Sequence, residues 1–244
     1  AEVHERMEQI DLAIKDVDQV LRMFPNLPQA ILMRCGLAAR MQNFEEAIAY
    51  IRKLVSADPD NVDLRVQMAA FYAADERPRK AIETYDSILE KYPESWTARR
   101  GRANALLSIG KHGEAIEDFA AALEKSPDDD NMLNNLAWVL ATSPQDDLRD
   151  GARSLELALR ACEFTEYKQA HILSTLAAAH AESGDFEMAI EWSSKAIELE
   201  SGEQRQQLSK ELDYYKQNKP WRERQEIKEK EDPDKPQDED LEIE

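Results

Sequence analysis

"RPRKAIETYDSILEKYPES", residues 77–95, and "GKHGEAIEDFAAALEKSPDD", residues 110–129, state nearly the same pattern twice. Ala81 and Ala115, Ile82 and Ile116, and Pro93 and Pro127 are each 34 residues apart. Extended outward, the register gives Ala13, Ala47, Ala81 and Ala115, each followed by Ile, and Pro25, Pro59, Pro93 and Pro127. A fixed period of this length marks stacked supersecondary units, so the repeat is what has to be counted.

Each copy holds two amphipathic segments, for example Val62 to Ala74 and Pro78 to Lys91, with apolar residues three and four apart; this spacing predicts helices. The closing Pro cannot continue a helix, and Asp58, Tyr92 and Ser126 before it are driven toward extended backbone, so the chain turns there. Ala47, Ala81 and Ala115 are predicted where the second helix of a pair crosses the first, because a methyl group lets two axes approach closely. With only 7 Gly and 10 Pro and 42% hydrophobic residues, the composition also favours an all-α chain.

These residues resemble the tetratricopeptide repeat family, of the bacterial multi-repeat type, with its 34-residue helix–turn–helix unit, small residue, later Ala and terminal Pro. Cys35, Ala69, Ala103, Ala137 and Ala177 stand at the family's small position; Ile31, Arg65, Arg99, Leu133 and Leu173 replace its usual early aromatic. The resemblance covers about residues 1–200 and implies an all-α, right-handed solenoid of helix pairs. The expected divisions are a partial repeat over 1–27, repeats over 28–61, 62–95, 96–129, 130–168 and 169–202, a capping helix over 203–217, and an acidic, flexible tail over 218–244.

Several departures qualify the pattern. The fifth copy carries about five extra residues around Thr142 to Asp150, read as a tolerated insertion with a contact role as the second reading. The sixth keeps Gly184, Phe186, Ala189 and Ala196 in register but has Ser201 for the closing Pro, and its helix is expected to end near Glu200 and Gly202. Leu208, Leu212 and Tyr215 form the expected apolar stripe of the capping helix. By register Ala1 falls within a first helix, which suggests a C-terminal fragment of a longer array. From Arg222 to Glu244 there are 11 acidic and 5 basic residues, so the tail supplies −6 of the net −19; a short binding motif at "DEDLEIE" is the alternative to a solvated tail. Trp221 is expected to pack back on the cap.

The net charge repels phosphate backbones and anionic membranes, which argues against nucleic acid as a partner. No stretch reaches the ~18–20 apolar residues of a membrane span, so no membrane insertion is expected; no signal peptide is visible, and a soluble chain of cytoplasm or periplasm is expected. Cys35 and Cys162 are expected as buried, reduced core residues. His4, His112, His171 and His180 do not pair at metal spacing, no phosphate loop is present, and no nucleophile–base set is visible, so neither cofactor nor catalysis is expected. His180 is expected between helices, half-buried.

The resemblance further implies a concave groove lined by first helices. Its candidate contacts are Arg100 and Asn104 on one helix, Asn131, Asn135 and Trp138 on the next, and His171, with Ser174 and Ala178, on the last. An arginine fork beside carboxamides suits a carboxylate or a peptide backbone. Arg100, Asn104 and Asn135 resemble part of the carboxylate clamp by which related domains hold an acidic C-terminal peptide; His171 and Thr175 stand where that clamp is usually basic. Toward the N-terminus the same face, Gln29, Leu32, Met33, Gly36, Val66 and Ala70, is less polar. The expected function is an interaction scaffold or adaptor binding a protein or peptide that is basic overall or has a free carboxylate; a regulatory arm of a longer enzyme is the alternative.

Overall fold

The structure, a computed structural model, describes residues 2–224 and 227–230. Among the described residues there are no strands. The helices, in chain order, are α1 (Glu2–Met23), α2 (Pro28–Arg40), α3 (Phe44–Ala57), α4 (Val62–Ala74), α5 (Pro78–Lys91), α6 (Trp96–Ser108), α7 (His112–Leu123), α8 (Asp130–Thr142), α9 (Gly151–Phe164), α10 (Ala170–Glu182), α11 (Phe186–Glu198) and α12 (Gly202–Tyr215). The chain is an all-α solenoid in class, built from consecutive packed helix pairs.

The periodic sequence produces periodic backbone chemistry. Asn61, Ser95, Asp129, Asp150 and Asp185 each cap a helix by accepting the N–H three residues on, satisfying a donor that the first turn leaves open. The turn inside each pair places Gln42, Glu76 and Gly110, spaced at the repeat interval, in the left-handed region at φ 57, 58 and 77°, and Gly184 at 84°. Each turn then closes with the same bond: Asn43, Arg77, Lys111 and Asp185 donate backbone N–H to the carbonyls of Ala38, Tyr72, Leu106 and His180, all at 2.9 Å.

The chain divides into two compact units, Ala1–Glu94 with Lys228–Glu244, and Ser95–Ile227. In the first, Ile31, Cys35, Ala38, Ala47, Ile51 and Leu54 form a core on which Leu64, Met68 and Phe71 of α4 pack. Position Glu8–Gln9, where the register would place an inner turn, lies inside α1, which runs on without a break. Both residues are good helix formers, and neither is a Gly or Asn suited to the left-handed turn. Leu32 and Met33 are exposed, and a side chain at Gly36 would meet nothing, so the less polar face of α2 is open.

In the second unit Ala103, Ala115, Ala137, Ala177 and Ala189 are all fully buried, as their crossing positions require. The inserted segment is tied down on both sides. Ser143 Oγ lies 2.9 Å from His112 Nδ1, and Arg149 reaches Glu182 Oε1 at 3.0 Å and the Ser143 carbonyl at 2.8 Å. Gly151 opens α9 where a Cβ would come within 2.8 Å of Ser183 Oγ and 3.1 Å of its backbone N. Cys35 and Cys162 are free and buried, their thiols pushed up to about 11 and about 12 by burial. His180 is half-buried, with Nδ1 3.6 Å from Asp185; burial lowers its pKa, and the carboxylate opposes that.

Two details at the C-terminal end differ from expectation. α11 stops at Glu198, and Gly202, at φ 61°, opens α12 instead of ending α11. On α12 Leu208 and Tyr215 are buried and Leu212 half-buried, and Glu211, outside the expected stripe, is buried with them where Ser174 of α10 gives it a hydrogen-bond donor. Beyond α12, Trp221 packs back on the cap as expected, edge-on to Tyr214 at 5.1 Å; Arg222 pairs with Glu182 at 2.6 Å, and Glu223 donates its N–H to the Thr142 carbonyl at 2.9 Å. Within the first unit, Glu229 pairs with Arg79, and Lys230 bonds Asp75 through Nζ at 2.9 Å and the Glu76 carbonyl through its N–H at 2.8 Å. The "DEDLEIE" stretch lies outside the described residues.

Candidate functional site

The candidate residues fall on three first helices of the second unit, α6, α8 and α10. Thr97, Asn131 and His171 are each the second residue of their helix, and Asn104, Trp138 and Ala178 each the ninth, so the repeat carries equivalent positions from helix to helix.

Asp129 organises the start of this face. Its Oδ1 accepts the Met132 N–H at 2.9 Å and caps α8, while its Oδ2 receives Arg100 Nη1 at 2.9 Å. The Arg100 guanidinium also lies 5.4 Å over the Trp96 ring, within cation–π range. Its side chain stays 41% exposed, so part of the fork remains open to a ligand. Next to it runs a row of carboxamides: Asn134 Nδ2 donates to Asn135 Oδ1 at 3.2 Å, and Asn135 Nδ2 donates to Asn104 Oδ1 at 2.9 Å. Asn104, at the head of the row, is exposed. The buried Oδ1 of Asn134 ends the row without a protein partner. Asn131 is exposed and contacts Asp130 at 3.5 Å, and Trp138 is half-buried.

The structure thus brings Asn104 and Asn135 into direct contact and joins Arg100 to Asp129. His171 belongs to a different setting: it is exposed beside Gln204, Gln207 and Leu208 of α12. Ser174 and Ala178, expected on the open face, are buried. Ser174 donates to Glu211 Oε2 at 2.7 Å, and Ala177 and Ala181 pack against Tyr215, so α12 covers that stretch of α10. Glu211 also accepts Gln207 Nε2 at 3.2 Å; burial raises its pKa, and the two hydrogen bonds work against the rise. A carboxylate on an apolar stripe reads as solvent-facing in sequence, and only Ser174, 37 residues away, shows why it is buried.

Among the described residues no group of three or more His, Cys, Asp or Glu side chains could hold a metal ion, and no helix is long and apolar enough to cross a membrane. The fold is that of a helix-pair repeat protein of the interaction-scaffold class. Tetratricopeptide repeat models match residues 1–62, 70–130 and 170–202, more than half of the sequence, and the chain belongs to the tetratricopeptide repeat family. The unmatched stretch between 130 and 170 contains the inserted turn.

Among curated relatives, the uncharacterized protein y4yS of Sinorhizobium fredii is 30% identical over 37% of this chain and 50% of its own length. The DnaJ homolog subfamily C member 3 of Rattus norvegicus is 25% identical over 44% of this chain and 22% of its own. The chain therefore spans half of one relative and about a fifth of the other. Two solved structures share the fold. PilW, a type IV pilus biogenesis factor, has a TM-score of 0.68 at 17% identity, covering 85% of this chain and 94% of its own. YrrB, a TPR protein with an unusual peptide-binding site, has a TM-score of 0.58 at 16% identity, covering 82% of this chain and 100% of its own.

Proposed function

We propose that the chain is a non-catalytic adaptor that binds an extended peptide segment of a partner protein across α6 and α8, with Arg100, Asn104, Asn131, Asn135 and Trp138 as contacts and His171 at the far end. The observation that carries this reading is the carboxamide row, exposed at Asn104 and half-covered at Asn135, beside a half-open guanidinium. An extended backbone alternates donors and acceptors, and a carboxamide offers both, so such a row can bond a main chain without demanding one side-chain sequence. YrrB, which shares the fold, supports the reading by analogy.

Backbone recognition is favoured over capture of a free carboxylate. Asp129 already neutralises Arg100 at 2.9 Å, and a second carboxylate would be held against it. The net charge of −19 instead favours a partner that is basic overall, with binding that weakens as salt rises.

Photo-crosslinkers placed at Asn104 and Asn131, with Glu117 on α7 as a control, test this in the source cell. The reading expects a shared crosslinked partner at positions 104 and 131 and none at 117. Equal labelling at all three, or labelling confined to 117, moves the site elsewhere.

A further inference from the structure

Between the start of α10 and α12 lies a cavity of about 290 Å³ lined by Ala170, His171, Glu200, Gln204, Gln207 and Leu208. It falls just below the roughly 300–1,000 Å³ of small-molecule sites, a scale that suits one long side chain of a bound segment. Ala170 and Leu208, both buried, give it an apolar wall.

The polar groups around that wall are biased toward accepting. Gln207 spends its Nε2 on Glu211 Oε1 at 3.2 Å, and Glu211 is fixed in turn by Ser174 at 2.7 Å and is only 3% exposed. With its amide nitrogen bonded to Glu211, Gln207 keeps its carbonyl oxygen as the acceptor it can offer to the cavity that it lines. Glu200, which carries a carboxylate, and Gln204, which carries a carboxamide, also line it. An anionic ligand would face Glu200 directly and Glu211 behind Gln207; a cationic donor meets acceptors, while its methylene stem can lie along Leu208 and Ala170.

We propose that this cavity receives a long basic side chain, lysine or arginine, of the bound segment, with Glu200 and the Gln207 carbonyl as its acceptors. This deepens the groove reading and rests on it, since His171, which lines the cavity, stands on α10 at the helix position that Asn131 holds on α8.

The test titrates the full chain with Nα-acetyl-lysine amide and follows backbone amides by NMR, with the acetylated amides of norleucine and glutamate as comparisons. The expected result is shifts at His171, Gln204 and Leu208, at least about tenfold weaker binding of the other two probes, and about tenfold loss in Glu200→Gln. Equal binding of norleucine would make this an apolar cavity only and overturn the proposal. Stronger binding of glutamate, or lysine binding unchanged in Glu200→Gln, would overturn it as well. No partner protein is needed: failure here with an intact effect of Asn104→Ala on partner affinity removes the cavity assignment alone, and the reverse pattern removes the groove alone.

Discussion

α8 and α10 hold equivalent places in successive repeats, yet their faces end differently. On α8, Asn131 is exposed, Asn135 is half-covered and bonded to neighbouring carboxamides, and Trp138 is half-covered; on α10, only His171 stays exposed, while Ser174, bonded to Glu211 of α12, and Ala178 are buried. Helical register alone assigns the same orientation to both. Part of the difference comes from α12, whose Glu211 bonds Ser174 and whose Tyr215 packs with Ala177 and Ala181 of α10.

The largest way to break this contrast is to loosen the cover. Tyr215 is fully buried, and Tyr215→Ala is expected to cost about 3–5 kcal/mol of stability, by the measured range for large aromatic truncations. In hydrogen exchange, protection should fall on α10 and α12 and stay unchanged on α6 and α8; uniform loss would show that the faces are not set separately. Gly151→Ala comes next. The added methyl would press on the backbone of Ser183 at the end of α10, and a loss of about 1–3 kcal/mol in chemical denaturation is expected. A neutral effect would show that this contact gives way easily.

Glu211 sharpens the contrast through pH. Its folded-state pKa is raised by burial, so the native state holds its proton more tightly than the unfolded chain. The stability contributed is present below about 4.5, the unfolded value, and is lost as pH rises through the raised one. Glu211→Gln, which cannot ionise, should therefore gain stability relative to the native chain as pH rises through that window. A pH-independent difference would contradict the assignment. The smallest effect is expected on the open face, where Asn104→Ala should change stability by only about 0.5–1.5 kcal/mol. A double-mutant cycle with Asn135→Ala should show coupling, since the two side chains are bonded at 2.9 Å.

Most of the scaffold was legible because one period governs it. The 34-residue step of Ala and Pro fixed the pairs, and α4 and α5 begin and end at the residues that the apolar spacing marks. Gln42 and Glu76 in left-handed turns were not legible alone, since neither favours that backbone; their register with Gly110 and Gly184 is what reveals them. At the candidate site, helical spacing places Arg100 and Asn104 on one face, but the pairing of Arg100 with Asp129 and of Asn104 with Asn135 depends on how neighbouring pairs stack. The burial of Ser174 and Glu211 depends on a contact across 37 residues, which no local pattern encodes.

The central claim, that the α6–α8 face binds a partner segment, is tested most directly by the affinity of the crosslinked partner for three forms of the full chain: native, Arg100→Ala with Asn135→Ala, and Glu117→Ala. Losing hydrogen bonds to two such groups should weaken binding about tenfold or more in the double variant, with the control unchanged. Equal affinity in all three forms would contradict the account.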